Sequence, residues 1–227
     1  MKHSGKARKA AFKLILISVV LVVVVDVLGV FLPWNGPRIA FEAVFSVLWI
    51  LFVVFTLYFF RDPDARVPAG ANLVLAPGHG KVDVIGTTSE PDFMGGECQR
   101  ISIFLSVIDV HVQNAPVSGN LAFFKHSAGQ FLSAFKSESA TYNENVLLGF
   151  DATEPRGQKI GVRLIAGLIA RRIVPFIAQG DVVTRGDRIS LIQFGSRADV
   201  YLPRSAKIKV QLNDHVVGGE TVLAAFE

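Results

Sequence analysis

The 227 residues suffice for one soluble domain and a small extra element. A net charge of +4 and a pI near 9.3 suit an anionic membrane surface and are too mild to argue for a nucleic-acid partner. The single cysteine, Cys98, excludes an intramolecular disulfide and fits a reducing compartment.

Hydrophobic residues make up 51% of the chain, concentrated in the first 60 residues. Residues 11–32 (AFKLILISVVLVVVVDVLGVFL) and 39–60 (IAFEAVFSVLWILFVVFTLYFF) each have the length of a membrane-spanning helix, which needs roughly 20 apolar residues. Between them PWNGPR is a turn composition, so the pattern predicts a transmembrane helical hairpin. A cleaved signal peptide fits less well, because its apolar core is shorter and no second span follows it. Lys2, Lys6, Arg8 and Lys9 precede the first span and Arg61 and Arg66 follow the second, against Arg38 alone in the loop. The positive-inside rule therefore places both ends, and the body that follows, in the cytoplasm. Asp26 and Glu42 lie in or near the spans; each is either hydrated near an interface or engaged in a polar contact within the hairpin or between copies.

From Arg61 onward, short runs rich in Val, Ile and Phe alternate with Gly, Pro, Asn and Asp. They predict strands at 73–76, 81–86, 101–107, 119–125, 130–135, 145–150, 160–166, 188–194, 198–202, 206–211 and 221–226. The expected fold is mainly β (α+β): a hairpin-rich, sandwich- or barrel-like domain behind the helical hairpin. The best helix candidate in the body is a turn or two near 168–176, limited by Pro175. Residues 180–187 (GDVVTRGD) and 213–220 (NDHVVGGE) share a pattern and each precedes an apolar strand, which predicts two equivalent hairpins of a duplicated unit, with chance similarity as the rival. Lipoyl-type carriers place a lysine at such a tip; here the tips read Thr184-Arg185 and Val217-Gly218, which speaks against a carrier role.

The segment ISLIQFGSRADVYLP (189–203) runs one strand into Phe194-Gly195-Ser196-Arg197 and a second strand out of it. Taken alone, Gly-Ser between strands is an ordinary turn. It stands, however, at the end of an ordered set: FFRDP at 59–63, LAPGHGKV at 75–82, ISIFLSVIDVHVQNAPVSG at 101–119, Tyr142-Asn143-Glu144-Asn145, IAGLIARRIV at 165–174, then FGSRADVYLP and GGETVLA. As a set these motifs resemble the short bacterial and archaeal type of phosphatidylserine decarboxylase proenzyme, over residues 58–227.

The apolar spans predict a membrane anchor at 1–60, and the resemblance implies a pyruvoyl-dependent decarboxylase domain at 61–227. It implies self-cleavage at Gly195-Ser196, giving a β chain of residues 1–195 and an α chain of residues 196–227. In that family the Ser hydroxyl attacks the preceding Gly carbonyl, the amide becomes an ester, and β-elimination breaks the chain. The new terminus loses ammonia and becomes a covalent pyruvoyl group, here from Ser196, which forms a Schiff base with the substrate amine. No metal and no diffusible cofactor are implied. The expected substrate is a membrane phospholipid, phosphatidylserine, converted to phosphatidylethanolamine at the cytoplasmic face of the cell membrane. The sequence leaves the oligomeric state open, a homo-oligomer included.

Among site residues, His111 of the DVHV element occupies the family's histidine position and suits proton transfer near neutrality. Asp109, two residues away on an expected strand, shares a face with it and is a candidate to orient the imidazole. The chain departs from the family at Pro77-Gly78-His79-Gly80, where Pro-Ala-Asp-Gly is usual: His79 replaces an aspartate of the cleavage machinery. It either takes over as base or alters maturation. Arg197, Arg171 and Arg172 are candidates for the substrate's phosphate or carboxylate, with ordinary solvated or ion-paired arginines as the alternative. Phe123, Phe124 and Phe131 are expected in the core, with insertion into the bilayer surface as the alternative. His126 and His215 show no partner pattern, and no metal-ligand spacing joins the histidines. Two other readings remain open: decarboxylation of another serine-headed lipid such as archaetidylserine, and a non-cleaving membrane scaffold that keeps the fold.

Overall fold

A computed structural model describes residues 2–29, 31, 36–130, 143–167, 172–193 and 196–227. The chain divides into a unit spanning Gly5–Asp62 and a body comprising Pro63–Glu227 with the first few residues. The first unit holds α1 (Lys6–Gly29) and α2 (Gly36–Phe59), both long and apolar enough to cross a membrane. Gly36-Pro37 opens α2, a position where proline's missing N–H costs no helical hydrogen bond. Polar groups within the helices find partners: Arg38 bridges Glu42 one turn on at 2.8 Å, and the Trp49 indole donates to the Ser18 hydroxyl of the other helix at 3.1 Å.

Among the described residues the body has fourteen strands: β1 (Leu73–Leu75), β2 (Gly80–Glu90), β3 (Gly96–Leu105), β4 (Val112–Asn114), β5 (Ser118–Ser127), β6 (Asn145–Glu154), β7 (Lys159–Ala166), β8 (Ile173–Pro175), β9 (Val182–Val183), β10 (Arg188–Ile192), β11 (Ser196–Leu202), β12 (Lys207–Ile208), β13 (His215–Val216) and β14 (Val222–Ala225). An eight-stranded sheet has the order β13-β2-β3-β11-β7-β6-β5-β9, and two small sheets run β1-β14-β12 and β4-β10-β8. All these strand pairs are antiparallel. Alternation along each strand sends one apolar set inward: Ile101, Ile103 and Leu105 of β3, Ala198, Val200 and Leu202 of β11, and Ile160, Val162 and Leu164 of β7. They pack with Val74, Ile189, Leu223 and Ala224 of the small sheets into one core.

The strand order is two-fold. Read outward from the β11–β7 pair, β11-β3-β2-β13 matches β7-β6-β5-β9, and β1-β14-β12 matches β4-β10-β8. Local hydrogen bonds repeat as well: Gly186 N–H donates to Ala115 and Gly219 N–H to Ala76, while Leu121 N–H donates to Asp181 and Val82 N–H to Asp214. The two similar segments at 180–187 and 213–220 are therefore equivalent, but they are not hairpins. Each passes from the edge of the large sheet (β9, β13) into a small sheet (β10, β14) through a glycine with positive φ, Gly186 or Gly219.

Other expectations shift in detail. The stretch near 168–176 carries strand β8 rather than a helical turn: Ile173 and Val174 are β-branched, and Pro175 sits on the outer strand of its sheet, where its missing N–H is tolerated. Residues 168–171 lie outside the described residues. So does most of the expected strand 130–135, of which Gln130 makes a single bridge to Asn143. β3 stops at Leu105 and a turn replaces the expected strand end, while the short β4, β9 and β13 carried too few residues to be read as strands.

Candidate active site

Ser196 is the first residue of β11, the strand beside the centre of the large sheet. It pairs with Leu105 of β3 on one side and Ala166 of β7 on the other and is fully buried. By strand alternation its side chain shares the face of Ala198 and Val200, toward the core and the small sheets. Its hydroxyl has no hydrogen-bond partner among the described residues. A buried hydroxyl normally finds one; among the described residues the Ser190 hydroxyl is unpaired in the same way. In the matching half of the body, β6 and β7 are joined by a short turn; here β3 leads instead into the segment before β4, and β11 is reached from β10. Phe194 and Gly195, the other half of the expected cleavage bond, lie outside the described residues.

His111 is also fully buried and stands just before β4. Its carbonyl accepts from the N–H of Ile192, the last residue of β10, at 3.1 Å and from the Gln113 amide at 2.6 Å. The His111 main chain is thereby held next to the strand that leads through Gln193 toward Ser196. Nδ1 lies 3.0 Å from the main-chain carbonyl of Asp109. A carbonyl only accepts, so Nδ1 carries the proton and Nε2 is the basic nitrogen.

Asp109 does not share a strand face with His111, because residues 106–109 form a turn: Asp109 N–H donates to Ser106 at 3.0 Å. Its Oδ2 accepts from the Ser106 N–H and hydroxyl at 2.8 and 2.7 Å, and Oδ1 lies 3.1 Å from Nε2 of His215. The carboxylate closes the turn, and the carbonyl holds the imidazole. His215, which no sequence pattern linked to a partner, thus touches the residue that positions His111. His126 likewise contacts Glu144 at 3.0 Å.

The loop with His79 joins β1 to β2 and packs on the same end of β3. A Cβ on Gly78 would touch the Leu105 side chain, and one on Gly80 would lie 2.2 Å from the Phe104 carbonyl oxygen. The Pro77 carbonyl accepts from Asn114 N–H of β4 at 2.7 Å. His79 itself is half-buried, its ring edge 3.1 Å from where a Cβ on Gly218 would stand. Hence β3, β4 and β11 bring the three elements PGHG, DVHV and GSR to one region.

Comparison with known proteins decides what this region belongs to. Residues 52–224 match the phosphatidylserine decarboxylase family. The chain belongs to that family. It is 43% identical over 180 residues to the phosphatidylserine decarboxylase proenzyme of Desulfotalea psychrophila, covering 79% of this chain and 83% of that one. It is 42% identical over 206 residues to the proenzyme of the same name from Geobacter metallireducens, covering 91% and 90%, and 42% identical over 203 residues to that of Gluconobacter oxydans, covering 88% and 87%.

The remaining site residues of this phosphatidylserine decarboxylase family member divide by exposure. Arg197 is 3% exposed and forms a two-pronged ion pair with Asp83, Nη1 to Oδ1 at 2.9 Å and Nη2 to Oδ2 at 2.5 Å. Arg172 is exposed, and its carbonyl accepts from Gln193 N–H at 3.3 Å, which places it near the approach to Ser196. Arg171 lies outside the described residues, as do Tyr142 and Phe131. Phe123 and Phe124 are partly buried against apolar clusters. On the Arg197 face of β11, Asp199 is fully buried; burial pushes its carboxyl above the usual range, against the pull of the Ser102 hydroxyl and of Arg197, Arg100 and Arg163. Asn143 fixes the other flank, donating its amide to the carbonyl of Ala166, the residue paired with Ser196. Asp83 and Asp199 escaped the sequence reading because their partners are contributed by other strands. Asn143 was visible only as part of a motif.

Proposed function

We propose that this chain is a self-processing membrane decarboxylase that converts phosphatidylserine to phosphatidylethanolamine, using a pyruvoyl group made from its own Ser196. The observation that carries the reading is the buried, partnerless Ser196 hydroxyl at the head of β11, in a chain that belongs to the phosphatidylserine decarboxylase family. The site suits the group: the residue is small, its main chain is held by β3 and β7, and the family's glycine precedes it. A pyruvoyl group supplies a ketone that condenses with the substrate amine and a neighbouring carbonyl that receives the electrons left when carbon dioxide departs.

The chain's own residues do the rest. Nε2 of His111 takes the Ser196 hydroxyl proton as the oxygen attacks the Gly195 carbonyl and returns it to the Ser196 nitrogen as the amide C–N bond breaks to leave an ester; a glycine there leaves that carbonyl open. The Asp109 carbonyl keeps Nδ1 protonated throughout. In turnover the same imidazole, once protonated, returns a proton to the carbon that has lost carbon dioxide. Arg172, exposed near Gln193, offers a cation to the anionic head group. Two apolar helices anchor the chain in the bilayer where a diacyl substrate stays, and the charge bias of the flanking segments favours a cytoplasmic body.

The test is lipid turnover by the purified full-length protein in nanodiscs containing phosphatidylserine or archaetidylserine. We expect phosphatidylethanolamine and carbon dioxide from the first, and none with Ser196→Ala. Turnover of archaetidylserine alone would assign a different lipid, and turnover by Ser196→Ala would remove Ser196 from the chemistry.

A further inference from the structure

Arg197 follows the residue whose hydroxyl is to attack, yet its guanidinium does not reach outward for an anionic head group. It is 3% exposed and gripped at both prongs by Asp83. Asp83 is the extra residue of a β-bulge: Val82 pairs with Ile103 and Val84 with Ser102, leaving Asp83 unopposed between them. The register brings the pair together across β3, since Phe104 is opposite Lys81 on one side and Arg197 on the other. The bulge thus aims a carboxylate from β2, over one intervening strand, at the second residue of β11.

A competing carboxylate lies close by. Asp199 is two residues along on the same face of β11 and fully buried, and Arg197 is among the cations that draw on its charge. Pairing with Asp83 pulls the guanidinium across the sheet, whereas pairing with Asp199 would pull it along the strand. Because successive side chains point to opposite faces, fixing the Arg197 side chain on one face fixes the Cα–Cβ direction of Ser196 toward the other. Pairing with Leu105 and Ala166 sets the register at Ser196, and the ion pair adds a side-chain tie at the next residue. We propose that Asp83 and Arg197 are positioning residues for chain cleavage: their ion pair sets the roll of the first residues of β11, so that the Ser196 hydroxyl is presented to the Gly195 carbonyl. This rests on the self-processing reading above. It also assigns Arg197 a place in the cleavage geometry rather than at the lipid.

The test is the rate at which the α chain appears when full-length protein is synthesised in a cell-free system with nanodiscs. Asp83→Asn keeps the size of the side chain and removes its charge, which frees Arg197 to turn toward Asp199. We expect cleavage about tenfold slower, the factor that a barrier increase of about 1.4 kcal/mol produces. The unprocessed chain should resist hydroxylamine, because the ester has not formed. Asp83→Glu, which keeps the charge, should stay closer to wild type than to Asp83→Asn. Wild-type cleavage in Asp83→Asn, equal slowing in Asp83→Glu, or a slow variant that accumulates hydroxylamine-sensitive chain would each overturn the assignment. A wild-type chain that never matures overturns the self-processing function, and this inference with it; a wild type that matures alongside an equally fast Asp83→Asn overturns this inference alone.

Discussion

A carboxyl group buried among arginines shows how residue-scale chemistry departs from what composition suggests. Asp199 has Arg197, Arg100 and Arg163 nearby, yet burial outweighs them and raises its proton affinity. The native state therefore keeps this proton to a higher pH than the unfolded chain does. With more protons bound when folded, the Asp199 contribution to stability falls as pH rises from about 4 toward the raised native value. Asp199→Asn removes that slope. In a Ser196→Ala background, which keeps the chain whole, the Tm difference (Asn variant minus Asp) should become more positive between about pH 4 and about pH 7. A difference that shrinks over this range would contradict the assignment. Neither Asp199 nor the Arg197–Asp83 pair was legible in the sequence, since their partners are set by sheet register and by a bulge. Ser196, His111 and His79 were candidates from the sequence, because each sits inside a contiguous motif.

At the scale of elements, what matters is how loops are pinned to strands. The His79 loop is fixed by close approach: Gly80, with φ +150°, has no room for a Cβ against the Phe104 carbonyl, and the Pro77 carbonyl is tied to Asn114. Asp109 likewise acts through its element, closing the turn whose carbonyl holds His111. The sequence placed Asp109 and His111 on a strand and so made the carboxylate a candidate for orienting the imidazole; a turn capped by its own aspartate cannot be told from a strand by alternation over three residues. Since the loop's backbone rather than the His79 ring sets its path, His79→Asp should retain the fold and preserve or speed cleavage, as read by the rate of α-chain appearance. Slower cleavage would give the imidazole a role of its own.

For the whole molecule, the apolar runs foretold a mainly β body behind two apolar helices, and hydropathy alone located those helices. The two-fold order of the sheets was visible only as the faint similarity of 180–187 and 213–220, because the equivalent strands β2 and β5, or β3 and β6, share burial rather than residues. That order gives Ser196 its position: β3 and β11 occupy the places of a joined hairpin in the other half but remain unjoined. A cut before Ser196 therefore leaves β11 hydrogen-bonded on both sides, and the two chains should stay together until denatured. The most direct test is intact mass measurement on the purified protein under native and denaturing conditions. Two chains, separable only by denaturant, are predicted: one ending at Gly195, the other of 32 residues (196–227), lighter by one ammonia than a Ser-initiated chain and reactive toward a hydrazide at its N-terminus. A single chain of 24.7 kDa that persists after prolonged incubation would contradict the account.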